Sequence, residues 1–350
     1  MTRVMRVPQE VRDADGLLLT VRRAWPHDDG RLTLEAVEDH TGRLRAGRLG
    51  AGGALTLAAF AEDPALPDLP TAAENGQLLV HRYRKRAVIR GENSYLKVLP
   101  AAKAPDVARR HRAAATFAAA AGFQVPQVIG LDGGTLELSV VPGTSLHDLG
   151  RASTSTEASM DRAWASWAAS WAGFVRSAEP STAVVPVHGP EEEARTLAAW
   201  VARGLRADAL RSEERLLEGA AHRARAALLD GAPQESVLAH RDLHDKQVFV
   251  DPGADRGAVG LIDCDTLAFA EPALDLANLL VHLEFRQAQG LLTAASRASG
   301  EQAILDVAET LEVPTDRLAA YALSARVRLA CVYAFRPRWQ DLAATWLRGA

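Results

Sequence analysis

The stretch HRDLHDKQVFV, residues 240–250, decides the fold of this chain. It sets a histidine, an aspartate and a glutamine at fixed spacing before an apolar run that is typical of a short strand. A second apolar run, AVGLI at residues 258–262, ends at an acidic residue, Asp263. Turn-forming residues between the two runs predict a hairpin. We expect this hairpin to bring Gln247 and Asp263 to the same end, side by side.

The polar residues at this end of the hairpin are those that phosphoryl transfer requires. Such a transfer needs an oriented hydroxyl and metal ions that offset the charge of the phosphates. Asp242 is predicted to accept the hydroxyl proton, because a positioned carboxylate can act as a general base. Gln247 and Asp263 offer oxygen ligands of the kind that suits Mg²⁺. The sequence therefore predicts phosphoryl transfer from ATP, with magnesium as cofactor.

The segment from about residue 237 to 280 resembles the aminoglycoside phosphotransferase and choline kinase family, relatives of the protein kinases. The family pattern H-x-D-x-x-x-x-N matches His240, Asp242 and Gln247, with Gln in place of Asn. The form H-x-D-L-H-x-x-Q is also similar to the maltokinase branch. The resemblance implies an α+β fold of two lobes, as in protein kinases. One is a small β-rich N-terminal lobe, and the other is a larger, mostly helical C-terminal lobe.

The same resemblance implies roles for residues outside the hairpin. Lys97, in a strand-like run at residues 94–99, matches the lysine that holds the α- and β-phosphates. Val140 and Val141 match the hinge, whose backbone pairs with adenine. Asp275 is implied to brace the catalytic loop through backbone hydrogen bonds. These residues would complete a nucleotide site between the lobes.

Two features depart from the family pattern. The turn at residues 84–85 has no glycine, so basic side chains are expected to cover the phosphates in place of a glycine-rich loop. The helix predicted over residues 105–121 has no acidic residue beyond its first turn, where the family supplies a glutamate to the lysine. Glu92 and Glu137 are substitutes for that glutamate. The favoured alternative is that ATP itself orders Lys97.

The chain divides into three predicted regions. Residues 1–75 are predicted to form a β-rich N-terminal extension or cap, with strand-like runs at 17–21, 32–37, 44–49 and 54–60. A Pro-rich linker at residues 62–70 ends this region. Residues 76–143 are predicted to be the kinase-like N-terminal lobe, and residues 144–350 the helical C-terminal catalytic lobe. Large apolar side chains in the catalytic lobe share one helical face and predict core packing: Trp164, Trp167, Trp171, Phe174 and Val175.

Composition limits the remaining possibilities. The chain has 350 residues, of which 48% are hydrophobic, and this is enough for two lobes. A net charge of −4 argues against nucleic acid as a partner. No apolar run is long enough to span a membrane and no signal peptide is visible. With only two cysteines, Cys264 and Cys331, a reducing, cytoplasmic setting is expected. Cys264 is interpreted as a small buried strand residue.

We expect transfer of the γ-phosphate of ATP to a hydroxyl of a small molecule. An aminoglycoside or another natural product is the first candidate acceptor, and a sugar, as in the maltokinase branch, is the second. Asp265 and His244 are further candidate site residues. A protein of another class, a catalytically degenerate homologue that binds nucleotide, is favoured by the missing glutamate and glycines. The presence of both Asp242 and Asp263 argues against it.

Overall fold

The computed structural model of the chain describes residues 7–50, 52–152, 156–179, 185–207, 209–251 and 258–349. The predicted turn after Asp251 therefore lies outside the described residues. Within them the chain forms a β-rich N-terminal part and a larger helical C-terminal part, which confirms the predicted two-lobed fold. No helix in these ranges is both long enough and apolar enough to cross a membrane.

The first sheet is an antiparallel meander in which each strand pairs with the next one along the chain. Its strands are β1 (Glu10–Arg12), β2 (Leu18–Pro26), β3 (Leu32–Glu38), β4 (Leu44–Leu49) and β5 (Leu55–Leu57). The strand predicted at 17–21 ends too early, because a β-bulge between Val21 and Arg23 interrupts the alternation of buried and exposed side chains. The run predicted at 54–60 pairs only over its middle residues.

The next part of the chain forms the sheet of the N-terminal lobe. Its elements are α1 (Leu69–Glu74), β6 (Gln77–Arg82), β7 (Arg86–Arg90), β8 (Ser94–Val98), α2 (Ala104–Ala120), β9 (Phe123–Gln124), β10 (Val128–Asp132) and β11 (Thr135–Ser139). Five of these strands are antiparallel in the order β10-β11-β8-β7-β6. Pro105 lies in the first turn of α2, and Gly122, with a φ of 74°, follows its end.

Three predicted boundaries in this region are wrong. The linker predicted at 62–70 ends early, because α1 begins at Leu69. The strand predicted at 126–130 is displaced to Val128–Asp132, around a β-bulge. The run predicted at 135–141 stops at Ser139, after which Val140 leaves the sheet with 47% of its surface exposed. In the two strands the apolar pattern extends beyond the residues that pair.

The C-terminal lobe is mostly helical. Its elements are β12 (Thr144–Ser145), α3 (Leu146–Arg151), α4 (Glu157–Val175), α5 (Pro190–Arg206), α6 (Glu214–Asp230), β13 (Val237–Ala239), β14 (Val248–Val250), β15 (Val259–Leu261), β16 (Ala268–Ala270), α7 (Ala273–Ala288), α8 (Ala294–Thr310), α9 (Thr315–Tyr333) and α10 (Gln340–Leu347). Two small sheets, β12-β14-β15-β9 and β13-β16, carry the predicted hairpin and the segment before it.

Helix α4 packs against the hairpin of β14 and β15. Its apolar face is fully buried, as predicted, with Trp164, Trp167, Trp171 and Phe174 at most 2% exposed. These rings share one core with the apolar residues of β14 and β15. Aromatic side chains bury more area than any others, so this packing fixes the hairpin firmly to the lobe.

The first sheet packs against both lobes. One apolar cluster joins Leu44 and the segment after β5 to the inner face of the second sheet. Another joins β2 and β3 to Ala207 and Phe335 of the helical lobe. The backbone N–H of Ala24 also donates to the carbonyl of Phe335, at 2.8 Å. The first sheet therefore connects the two lobes on a path separate from the covalent connection at residues 140–143.

Candidate active site

The loop between β13 and β14 is held by a buried carboxylate. Asp275, in the first turn of α7, accepts from the backbone N–H groups of His240, at 2.6 Å, and Arg241, at 2.8 Å. Burial raises the pKa of Asp275, and these hydrogen bonds oppose the rise. Arg241 has a φ of 70°, a strained conformation for a residue other than glycine. The predicted brace of the catalytic loop by Asp275 is confirmed.

Asp242 lies near the start of this loop and Gln247 at its end, and their side chains approach each other. The Nε2 atom of Gln247 lies 3.4 Å from Oδ2 of Asp242. The Oε1 atom of Gln247 is buried and has no hydrogen-bond partner among the residues the structure places. An unpaired buried amide oxygen is costly, so this atom is available to a ligand that is not a protein group.

The hairpin places Asp263 beside Gln247, as expected. Val248 pairs with Leu261, and the N–H of Ile262 donates to the carbonyl of Gln247, at 3.0 Å. Asp263 follows directly, in the left-handed conformation with a φ of 60°. This conformation turns the chain out of the strand at the point where the two polar side chains are adjacent.

Lys97 forms ion pairs with two aspartates of the C-terminal lobe. Its Nζ atom lies 2.7 Å from Oδ1 of Asp265 and 3.1 Å from Oδ1 of Asp263. Burial alone would lower the pKa of Lys97, but the two carboxylates raise it above its ordinary value. Burial likewise acts to raise the pKa of Asp263, and Lys97 and Arg86 hold it lower. Lys97 is therefore charged, and these two carboxylates hold its ammonium group in position.

This pairing corrects the expectation for Lys97. Glu137 accepts instead from the hydroxyl of Ser94, at 2.7 Å, and no ion pair of Glu92 occurs in the part of the chain that is described. The favoured alternative, ordering by ATP, assumed that no carboxylate approaches Lys97, and these ion pairs contradict that assumption. Asp265 takes the place of the glutamate that the helix lacks. The two aspartates lie more than 160 positions after Lys97, so only the assembled fold brings them together.

Helix α2 contributes to this network through basic residues. The ring of His111, which is 1% exposed, places Nε2 at 2.9 Å from Oδ1 of Asp265. Arg110 donates to the backbone carbonyl of Asp265, at 2.9 Å. Hydrogen bonding from His111 and the charge of Lys97 hold the pKa of Asp265 far below its ordinary value, against the effect of burial. No pattern in the sequence predicted this role for His111.

Cys264 is fully buried, as expected, but it is not in a strand. It begins a short 3₁₀ turn, Cys264–Thr266, between the two aspartates. Burial and the adjacent Asp263 and Asp265 raise the pKa of its thiol to about 12. The residue is therefore an inert apolar anchor that lets the carboxylates on either side point toward the cleft.

An open cleft of about 190 Å³ separates the two lobes at this point. Its floor carries Asp242, Asp263 and Asp265, together with Thr266. Its roof is formed by three basic side chains at the β6–β7 turn, which are Arg82, Lys85 and Arg86. Arg86 lies 3.4 Å from Asp265 and 3.8 Å from Asp263. The cleft thus combines carboxylates suited to a cation with a positive surface suited to an anion.

Val140 and Val141 connect the lobes between β11 and β12. Val141 is buried against β15, where a Cβ atom on Gly260 would come within 2.3 Å of its side chain. Gly260 is therefore required for the close approach of this connection to the hairpin. Val140 projects into solvent. The role of their backbone in pairing with adenine stays a prediction.

On the other side of Asp242 lies a pair of buried histidines. The rings of His244 and His282 are 4.7 Å apart. Burial lowers the pKa of both, and for His282 the nearby His244 and Arg286 add to the effect. The neighbouring Asp245 pairs with Arg286, at 3.1 Å, and with His147, at 2.7 Å. The two rings are therefore neutral, and the carboxylate beside them is already neutralised.

Comparisons with known proteins agree with this geometry. Residues 75–312 match the model of the phosphotransferase enzyme family, so the first sheet lies outside the match. A search of curated proteins found no match.

Solved structures show the same fold. Aminoglycoside phosphotransferase APH(3'')-Id from Streptomyces rimosus, in complex with ADP and streptomycin, has 20% identity, covers 75% of this chain and 96% of its own, and has a TM-score of 0.52. The GDP and kanamycin complex of APH(2")-IIia has 14% identity, covers 78% and 91%, and has a TM-score of 0.54. A type VIII aminoglycoside-3'-phosphotransferase has 21% identity, covers 74% and 96%, and has a TM-score of 0.51.

Proposed function

Because this chain belongs to the phosphotransferase enzyme family, we propose that it transfers the γ-phosphate of ATP to a hydroxyl of a small molecule. The observation that carries this proposal is the convergence in one cleft of Asp242, Asp263 and Lys97, which are distant in the sequence. Their side chains supply a proton acceptor, a cation ligand and a positive charge for the phosphates. Phosphoryl transfer needs little beyond these groups in fixed positions.

In the proposed mechanism, Asp242 orients the acceptor hydroxyl and takes its proton. The backbone contacts of Asp275 hold the loop and so keep Asp242 in place. Lys97 contacts the α- and β-phosphates from the N-terminal lobe, and Asp265 and His111 keep its ammonium group directed into the cleft. The backbone of Val140 and Val141 binds the adenine ring. Each of these groups is fixed before the substrate arrives, which lowers the entropic cost of the transfer.

The residues present fit a magnesium ion. Gln247 has a buried amide oxygen without a partner among the described residues, and backbone pairing brings Gln247 next to the strand that precedes Asp263. Oxygen ligands of these two kinds are those that magnesium prefers. Bound magnesium supplies positive charge that offsets the phosphate oxygens. We assign Gln247 and Asp263 as its protein ligands.

The charged side chains of the helical lobe bear on which class of acceptor molecule it can bind. Its buried carboxylates in the described ranges all have partners: Glu193 with His188 and Arg328, Asp245 with Arg286, Glu271 with Arg317, and Asp275 with backbone N–H groups. Binding of a polycationic aminoglycoside would therefore depend on exposed carboxylates. The candidate acceptors stay an aminoglycoside or another natural product first and a neutral sugar second.

The function is tested by measuring ATP consumption against a panel of aminoglycosides, neutral sugars and amino alcohols with magnesium present. We expect turnover with at least one hydroxyl compound. Calorimetric titration of Asp263→Ala with Mg-ATP tests the metal site, and the variant should bind more weakly than the parent. Nucleotide binding without turnover of any acceptor would favour the degenerate homologue instead.

A further inference from the structure

Arg82 is a basic residue of the cleft that the proposed mechanism does not use. It ends β6 and lines the roof opposite Asp242 and Asp263. Within the described part of the chain, its guanidinium makes no hydrogen bond or ion pair. Burial, together with the positive charges of Arg86, Arg203 and Arg23, lowers the pKa of Arg82 to about 10. A partly buried guanidinium without a counter-charge is costly, so its position calls for an anion.

The first sheet holds this guanidinium in place. The Cζ atom of Arg82 lies 5.2 Å from the ring centroid of Trp25, which is on β2. Arg23 and Arg336 lie against the same ring, at 5.1 and 5.6 Å. A cation over an indole ring is attracted by the negative face of the ring, and more strongly where water is excluded. One arginine from the first sheet, one from the N-terminal lobe and one from the helical lobe therefore pack against Trp25. Of the three, Arg82 is the one that lines the cleft.

The β6–β7 turn is also fixed from outside the second sheet. Glu35 of β3 accepts from the backbone N–H of His81, at 2.7 Å. Asp63, which precedes α1, accepts from the ring of His81, at 3.0 Å, and from the N–H of Arg84, at 2.5 Å. Both carboxylates are buried. Burial alone would raise the pKa of Asp63, but the hydrogen bonds from His81 and Arg84 hold it below its ordinary value.

These contacts fix a turn that contains no glycine. Arg84 has a φ of 59°, a conformation that is strained for a residue other than glycine and that persists only where the surroundings enforce it. The hydrogen bond from its N–H to Asp63 enforces it here. The turn therefore presents Arg82, Lys85 and Arg86 to the cleft in one arrangement, and the residues that set this arrangement precede residue 75.

We propose that the first sheet is a working part of the phosphate site, in which Trp25 positions Arg82 to bind the terminal phosphate of the nucleotide. The terminal phosphate is the one within reach because Arg82 shares the cleft with Asp242. The hydroxyl that Asp242 orients must lie next to the phosphate it attacks. This inference rests on the proposed function, since it assumes that a nucleoside triphosphate enters the cleft. It makes Arg82 a binding residue and Trp25 a positioning residue.

The test compares two nucleotides on three variants without acceptor. Mg-ADP and the magnesium complex of a non-hydrolysable ATP analogue are titrated calorimetrically into the parent, Arg82→Gln, Trp25→Leu and Arg48→Gln. Arg48 is the matched control, because its Cζ atom lies 5.5 Å from the Tyr83 ring centroid, a contact of the same kind that lies away from the cleft. Without an acceptor, any loss specific to the triphosphate is assigned to the nucleotide.

We expect Arg82→Gln to weaken binding of the triphosphate about tenfold more than binding of ADP, as is typical for loss of one charged contact. Trp25→Leu should also weaken binding of the triphosphate more than binding of ADP, by a smaller factor. Arg48→Gln should show no difference between the two nucleotides. Equal affinities for the parent and Arg82→Gln, or equal losses for both nucleotides, would overturn the inference. Should Trp25→Leu not fold, Arg82→Lys replaces it and is expected to retain part of the selectivity. A parent that binds neither nucleotide contradicts the proposed function itself.

Discussion

The ammonium group of Lys97 lies 2.7 Å from the carboxylate of Asp265, two residues after the predicted metal ligand Asp263. Asp265 in turn contacts His111, at the place in the fold where a helix glutamate was expected. The chain thus keeps the lysine–carboxylate pair but takes the carboxylate from the other lobe. Because Lys97 also contacts Asp263, these ion pairs link the two lobes.

The pre-formed ion pair predicts that Lys97→Met destabilises the protein without nucleotide. Removal of one partner from a largely buried pair costs about 3 kcal/mol, because the remaining carboxylates lose their counter-charge. The variant should also show a raised KM for ATP and a lowered kcat. Urea unfolding and steady-state kinetics measure the two effects. Lys103→Met, at an exposed lysine that directly precedes α2, is the control. Unchanged stability with altered kinetics would contradict the pre-formed pair.

His111 is predicted to position Asp265 and not to touch the substrate. His111→Leu leaves one side of Asp265 without a donor, which costs about 1–3 kcal/mol for a buried group. We expect the KM for ATP to rise while kcat changes little, because Asp242 and its loop are untouched. His111→Gln should restore much of the loss, since its amide can donate. A Gln variant as defective as the Leu variant would rule out the hydrogen bond as the cause.

Asp275→Ala is predicted to affect catalysis through the loop. The substitution leaves two buried N–H groups, those of His240 and Arg241, without an acceptor. Each unpaired N–H group lowers the free energy of unfolding by about 1–3 kcal/mol. The strained conformation of Arg241 also loses the hydrogen bond that supports it. We expect a lower melting temperature and a kcat loss that exceeds any change in nucleotide affinity. Asp306→Ala, at a carboxylate on an exposed turn of α8, is the control. A kcat equal to that of the parent would show that the loop does not need this brace.

The buried His282 predicts a dependence of stability on pH. Its pKa is lowered by burial, with His244 and Arg286 adding to the effect, so the unfolded chain binds a proton here at a pH where the folded protein does not. Stability should therefore fall as the pH decreases below about 6.5. Thermal unfolding between about pH 7.5 and 5.5 should show a smaller loss for His282→Leu than for the parent, by up to about 1.4 kcal/mol per pH unit. His222→Leu, at an exposed ring on α6, should lose as much as the parent, and equal losses for all three would contradict the assignment.

The parts of the fold that are local in sequence could be predicted. The hairpin of β14 and β15, the helix over 104–120 and the aromatic face of α4 follow from periodicity and from capping residues. Strand ends were less predictable where a β-bulge shifts the alternation, as in β2 after Val21. The partner of Lys97 could not be predicted, since it depends on how two distant segments meet. The D-x-D spacing around Cys264 was the available signal for Asp265.

The role of Asp242 as the proton acceptor is central to the proposed mechanism. Asp242→Asn keeps the shape of the side chain and removes its basicity, so the protein should fold and bind Mg-ATP as the parent does. The measurement is single-turnover transfer of the terminal phosphate to the best acceptor from the panel, with nucleotide affinity determined on the same sample. We predict a rate lowered by roughly 10²–10⁴-fold at nearly unchanged nucleotide affinity. A rate close to that of the parent would contradict the role of Asp242, and with it the proposed mechanism.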